Sequence, residues 1–401
     1  MSAGSVNADL ERLAEIGARG DAVRRLAWSD EHRAALDWLA SRFEGAGLDA
    51  GLDAAGNLIG RWEAGDGAAV VLGSHIDSGP DAGRYDGTLG VLGALAAVES
   101  LKAQGVEPRR PVWIVSFMDE EGVRFGASML GSRAFVGQDV TDYLARRDAN
   151  GVSVAEEMRR WGLDPDRIGE ARAIHRVGAY LELHIEQGPV LDRAGEQIGV
   201  VGGIVGMVQG TVRLSGEANH AGTTPMDARR DALTGMARAA LALREEAVAR
   251  GGTATIGTVA VEPGAFTVIP ARCEFGLDFR IGSRAEFDEL PELIETTVRR
   301  ACEPEGLEAE VELTDADPPV EMDAGIVAEL ERAAEAEGAA WRRMPSGAGH
   351  DAMLIAPHVP TGMLFVPSRD GISHSPREWT EPEHRELGVR ALARALDALV
   401  R

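Results

Sequence analysis

Five short stretches of the sequence place histidines and carboxylates where they could bind hard or borderline metal ions. The first, Gly73-Ser-His-Ile-Asp77, directly follows an apolar run. Residues two apart on an extended segment share a face, so Asp77 can hold the His75 imidazole from behind. Nine residues after Asp77 comes Asp86, in the glycine-flanked turn Gly83-Arg-Tyr-Asp-Gly87, where a carboxylate can bridge two cations. The third stretch, Asp119-Glu-Glu-Gly122, ends a second apolar run, the place where open α/β sheets put their ligands. In the fourth, Leu181-Glu-Leu-His-Ile-Glu-Gln-Gly188, alternation sets Glu182, His184 and Glu186 on the face opposite the apolar residues. The fifth is Gly371-Ile-Ser-His-Ser375, whose small neighbours leave His374 room to reach a metal. A single histidine or a pair of adjacent acids is ordinarily a solvated or hydrogen-bonded surface feature. Two histidines and two acids at the ends of buried strands, each flanked by glycine, are hard to explain that way.

The elements that must position these residues can be read from periodicity. Ala69-Val-Val-Leu72 and Val112-Trp-Ile-Val-Ser-Phe117 are short apolar runs, the pattern of strands buried on both faces, and Gly87 to Leu101 between them reads as a helix. This β-α-β order implies a largely parallel sheet with helices on its faces. The style changes near residue 210. Thr211-Val-Arg-Leu-Ser215 alternates polar and apolar residues, and Thr224-Pro-Met-Asp227 predicts the start of a long helix, with Thr224 as its N-cap. Strands over Thr253 to Glu262 and Cys273 to Ile281, a helix over Arg284 to Cys302 and a strand near Glu308 to Leu313 complete a β-α-β-β-α-β ferredoxin-like order. Asp315-Ala-Asp-Pro-Pro319 reads as an exit linker, and the last helix is expected to begin at a Thr380/Glu383 capping box. The expectation is an α/β domain, residues 1–210 and 325–401, interrupted by a smaller ferredoxin-like α+β domain at 211–324.

Composition narrows the function classes. The chain has 401 residues, 44% hydrophobic and 26% charged, enough for two cored domains. A formal net charge of −24 repels phosphate backbones and makes nucleic acid an unsuitable partner. Lys102 is the only lysine, which argues against Schiff-base chemistry. Two cysteines, Cys273 and Cys302, cannot form a disulfide framework or a thiolate cluster, so a reducing cytosol is expected. The N-terminal residues lack the basic start and apolar stretch of a signal peptide, and no apolar run approaches the roughly 20 residues of a membrane helix.

Over nearly its whole length the sequence resembles the amidase/hydantoinase/carbamoylase family of dinuclear metallohydrolases, which includes N-carbamoyl-L-amino-acid hydrolases, β-ureidopropionases and allantoate amidohydrolases. The resemblance is carried, in order, by Gly-Ser-His75-Ile-Asp, Gly-Arg-Tyr-Asp86-Gly, Glu120-Glu121-Gly-Val-Arg-Phe, Glu-Leu-His184-Ile-Glu-Gln-Gly-Pro, Ala-Asn-His220-Ala-Gly-Thr-Thr-Pro-Met, Ser-Gly-Ala-Gly-His350-Asp-Ala and Gly-Ile-Ser-His374-Ser. It implies two divalent ions per chain: His75 and His184 on one, Glu121 and His374 on the other, and Asp86 between them. Mixed imidazole and carboxylate ligands suit zinc, manganese, cobalt or nickel without choosing among them. The resemblance further implies Glu120 as general base, and His220 as an oxyanion donor acting from the partner subunit of a homodimer formed through the inserted domain. Gln187 and Arg280 are implied as substrate contacts, Arg280 pairing with a substrate carboxylate. His350 could support the ligands from behind or be structural. Many family members carry Asn where this chain has Thr267, which bears on the substrate and leaves the catalytic set intact.

The expected activity is hydrolysis of an N-carbamoyl amino acid, with allantoate or another ureide as the alternative substrate and peptidase or aminoacylase activity behind both. A catalytically dead binding protein on a hydrolase fold would lack the base or a ligand. All of them are present.

Overall fold

In the computed structural model, which describes residues 5–401, the chain forms two compact units. One runs to Gly202 and resumes over Glu321–Arg401; the other is Gly203–Val320. At the centre of the larger unit four parallel strands lie in the order Thr361–Val366, Val177–Ile185, Ala69–His75, Val112–Phe117. Antiparallel strands extend the sheet on both sides, Leu58–Trp62 and Asp49–Leu52 beyond Val112–Phe117, and Ile198–Ile204 beyond Thr361–Val366. Every residue of Ala69–His75, Val112–Phe117 and Thr361–Val366 is buried, as expected of strands covered on both faces.

The helix Thr88–Ala103 covers one face. It is apolar all round, burying Leu89, Leu92, Leu95 and Val98 among others, and it packs on Ala69–His75, Val177–Ile185 and the C-terminal helix Pro382–Val400. Cutting one such leucine to alanine typically costs about 2–5 kcal/mol. The parallel strands all point their C-terminal ends one way. His75, the Asp119–Glu121 segment, His184 and the loop after Val366 therefore converge at that end of the sheet.

The smaller unit has the order β-α-β-β-α-β, with an antiparallel sheet ordered Thr253–Glu262, Arg272–Ile281, Gly206–Ser215, Glu308–Asp317. This is the ferredoxin-like topology. Alternation along Arg272–Ile281 buries Cys273, Phe275, Leu277, Phe279 and Ile281, which form one core with Leu243 of the helix Ala232–Ala249 and Leu290, Ile294 and Val298 of the helix Arg284–Cys302.

Local signals misplaced three boundaries. Thr224 does not cap a helix. Its hydroxyl donates to the His220 carbonyl at 2.9 Å, Met226–Ala228 makes a single 3₁₀ turn, and the long helix starts at Ala232. Asp231 caps it, accepting from the backbone of Leu233 and Thr234. The Thr380/Glu383 capping box does not form either: Thr380 donates to the Pro367 carbonyl at 2.9 Å, and the helix begins at Pro382 with no side-chain cap. The segment read as an exit linker is partly strand, since Glu308–Asp317 continues pairing along the equally long Gly206–Ser215, with a bulge between Leu313 and Asp315. Among the described residues no helix is long and apolar enough to cross a membrane.

Candidate metal centre

His75 ends its strand with Nδ1 3.1 Å from the Asp77 carbonyl oxygen, and His184 has Nδ1 2.9 Å from the Ile185 carbonyl. A carbonyl only accepts, so Nδ1 carries a proton in both rings and Nε2 is the atom turned toward the neighbouring carboxylate. Both Nε2 atoms face Asp86 Oδ1, at 3.7 Å from His75 and 3.3 Å from His184. The other oxygen of Asp86 faces His374 Nε2 at 3.1 Å, and that nitrogen lies 3.6 Å from Glu121 Oε2. Two three-residue groups thus share one carboxylate: His75, Asp86 and His184 on one side, Asp86, Glu121 and His374 on the other.

The donor set fits a pair of cations. Against desolvation, Glu120 and Asp86 raise His75 and Asp86 raises His184, and a positive ion between ring and carboxylate would take the place of those ring protons. Asp77, Asp86 and Asp119 are buried together, Glu120 is almost fully so, and Glu121 Oε1 is buried with no hydrogen-bond partner among the described residues. The electrostatics register this crowding. Burial, opposed by His75 and reinforced by Asp351 and Glu121, pushes Glu120 well above the usual carboxylate range. Burial and then Asp86 push Glu121 up to about 7. The hydrogen bond to Asp86 raises His374 to about 9, against desolvation. Bound divalent ions reverse this logic by favouring the deprotonated ligands.

Asp77 stands behind this arrangement. Its carboxylate accepts from the backbone N–H of Glu120 at 3.3 Å and Glu121 at 3.2 Å, so it steadies the acidic segment as well as facing His75. Gly87 is required by space and conformation. Its φ is +64°, and a Cβ there would fall 2.4 Å from His75 Nε2. Gly87→Ala is therefore expected to displace the His75 ring, releasing metal and lowering Tm; elemental analysis and a thermal melt check both.

Glu120 is almost fully buried, with Oε2 3.6 Å from His75 Nε2. Gln187, at a left-handed φ of +58°, donates its side-chain amide to Asp86 Oδ2 at 2.8 Å. His350 packs edge-on against the His184 ring at 4.5 Å between centroids and shares a hydrogen bond with Ser346. Sequence reasoning missed Ser373, inside the His374 motif, and Glu378, three residues beyond it, as site residues. It placed Glu182 only on a polar face, whereas its carboxylate is buried and accepts from Ser74, Tyr180 and the backbone of Ala352.

The remaining three expected residues lie in the smaller unit. The loop of His220 pairs with that of Thr267: Ala221 donates to the Thr267 carbonyl at 2.9 Å, and Ile269 to Asn219. His220 Nδ1 accepts from the backbone of Gly222 and Thr223, which leaves Nε2 as the exposed N–H of the neutral ring. Arg280 is paired side-on with Asp278 at 2.8 and 3.1 Å.

Parallel strands that end in two ligand groups sharing a carboxylate form the framework a two-metal hydrolase needs. The chain belongs to the peptidase family M20/M25/M40, whose pattern matches residues 71–398. It is 41% identical over 390 residues to the N-carbamoyl-L-amino acid amidohydrolase of Geobacillus stearothermophilus, covering 95% of each chain. It is 35% identical to the allantoate amidohydrolase of Bacillus subtilis, covering 97% of this chain and 95% of that one. Among solved structures, a hydantoinase/carbamoylase family amidase from Burkholderia multivorans superimposes with a TM-score of 0.90 at 36% identity, over 100% of this chain and 98% of that one.

Proposed function

We propose that this enzyme hydrolyses the ureido C–N bonds of an N-carbamoyl-L-amino acid, consuming one water and releasing the amino acid, ammonia and carbon dioxide. The observation that carries the reading is the division of Asp86 between two ligand groups, with the Glu120 carboxylate beside them. His75 and His184 would hold one divalent ion and Glu121 and His374 the other, with Asp86 between. Such a pair supplies Lewis acidity for the scissile carbonyl and acidifies a water. Glu120 takes the proton of the attacking water and delivers it to the leaving nitrogen. His220 Nε2–H donates to the developing oxyanion, and Arg280 binds the substrate carboxylate. Gln187, fixed on Asp86, orients the substrate beside the bridge.

The reading is supported by the amidohydrolases named above. The allantoate alternative draws on the Bacillus subtilis relative and on Thr267, where the family commonly has Asn. A screen of metal-reconstituted enzyme for ammonia and primary-amine release decides between them, using N-carbamoyl amino acids, allantoate, N-acyl amino acids and dipeptides. Activity confined to dipeptides or N-acyl amino acids would overturn both readings. Arg280→Ala should raise KM for carboxylate substrates far more than for their amides, because unpairing a desolvated charge typically costs about 2–5 kcal/mol. Thr267→Asn should shift preference toward ordinary N-carbamoyl-L-amino acids. An unchanged substrate profile in Thr267→Asn would place that residue outside the recognition surface.

The proposal includes a homodimer formed through the smaller unit. It is supported by exposed Leu241 and Val248 on the helix Ala232–Ala249, and by the edge strand Thr253–Glu262 with exposed Val259. That strand carries no charge from Thr253 to Val261, although solitary edge strands are usually guarded by charge. Mixed dimers of His220→Ala and Glu120→Gln chains should regain activity, one site per mixed dimer being intact. No recovery after verified subunit exchange would show that His220 does not act across the interface. A reducing compartment, the cytosol, is supported by Cys273 and Cys302, which are both buried and unpaired with each other.

A further inference from the structure

We propose that Glu378 is a positioning residue that ties the Asp86 loop to the His374 loop and so sets the geometry of the second ion's ligands. The inference rests on the two-ion reading above. Glu378 is buried, 3% exposed, and each of its oxygens serves a different loop. Oε1 accepts the backbone N–H of Tyr85 at 2.8 Å and of Asp86 at 3.2 Å. Oε2 lies 2.9 Å from Ser373 Oγ, and the same hydroxyl lies 2.8 Å from Asp86 Oδ2. Ser373 immediately precedes His374, so a closed ring of contacts runs from the Asp86 backbone through Glu378 and Ser373 to the Asp86 carboxylate. The ring fixes the oxygen that faces His374.

The surroundings are shaped to keep Glu378 in place. A Cβ on Gly83 would lie 2.1 Å from Glu378 Cδ, so only glycine at that position leaves room for the carboxyl group. Apolar packing continues the tie: Trp379 meets Tyr85 edge-on at 5.9 Å, and the Arg385 guanidinium lies 4.6 Å over the Tyr85 ring. Two functions are asked of residue 378, an acceptor for two N–H groups and a second polar atom for Ser373. Glutamine supplies both, since its oxygen accepts from the backbone while its N–H₂ donates to Ser373 Oγ, leaving the hydroxyl to donate to Asp86. Alanine supplies neither.

The test titrates chelator-stripped wild type, Glu378→Gln, Glu378→Ala and Gly83→Ala with Mn²⁺ by calorimetry and records bound metal by elemental analysis. Wild type and Glu378→Gln are expected to take up two ions with matching affinities. Glu378→Ala and Gly83→Ala should keep the first ion and bind the second about 10–100-fold more weakly, the usual cost of losing a group that orients a ligand. Gly83→Ala leaves Glu378 in the chain and displaces it, so it carries the test if Glu378→Ala fails to fold. Two ions bound at wild-type affinity in Gly83→Ala or Glu378→Ala would overturn the inference. So would loss of the second ion in Glu378→Gln, because the amide offers the same contacts. A wild type that binds fewer than two ions would remove the two-ion reading itself.

Discussion

Glu120→Gln is expected to lower kcat by about 10²–10⁴-fold, the usual worth of a positioned general base, while both metal ions and Tm are retained. The reason lies in where the side chain stands. Its Oε2 approaches His75 at 3.6 Å from outside the two ligand groups, and its backbone N–H is held by Asp77. Replacing the carboxylate with an amide keeps size and hydrogen bonding and removes only the site that accepts a proton. Glu121 is the contrasting neighbour. It faces His374 at 3.6 Å and belongs to the second ligand group, so Glu121→Gln should weaken one metal site. Steady-state kinetics beside elemental analysis separates the two. Glu120→Gln losing an ion while Glu121→Gln kept both would mean that the adjacent roles are reversed.

Removal of divalent ions should abolish turnover and lower Tm by several degrees, and both should return on adding back zinc, manganese, cobalt or nickel. Ions that bind only the folded chain stabilise it by mass action, about 2.7 kcal/mol at a hundredfold excess over Kd. The buried carboxylates Asp77, Asp86, Asp119, Glu120 and Glu121 would then face one another without compensating charge. Protonation of Asp77, Asp119, Glu120 and Glu121, with that of His75, His184 and His374 around an ionised Asp86, is the remaining way to relieve the crowding, and it removes the base the reaction needs. Full activity in protein shown to be metal-free would sink the mechanism.

Much of this chain was legible before its structure. The runs Ala69–Leu72 and Val112–Phe117 are apolar on both faces, and a segment that cannot alternate must be buried on both sides. The alternation of Thr211–Ser215 likewise announces a sheet with one wet face, and the helix Arg284–Cys302 has the bounds its pattern predicts. Helix starts were less legible. Thr224 and Thr380 have the right residue type for a cap, but each hydroxyl donates to a nearby carbonyl instead, those of His220 and Pro367. Capping is a competition among acceptors and donors that only the folded loop settles.

The same division holds at the site. Residue type and local spacing by themselves determined which side chains could be ligands, because an imidazole or carboxylate beside glycine at a strand end is a local property. The tertiary structure alone decided that Asp86 offers one oxygen to His75 and His184 and the other to His374, since these come from separate strands and loops brought together by parallel pairing. It also decided that Gln187 rests on Asp86 and that Glu378 reaches the Tyr85–Asp86 backbone. A buried polar group takes whichever partner the packing brings within about 3 Å, and sequence spacing carries no record of that choice.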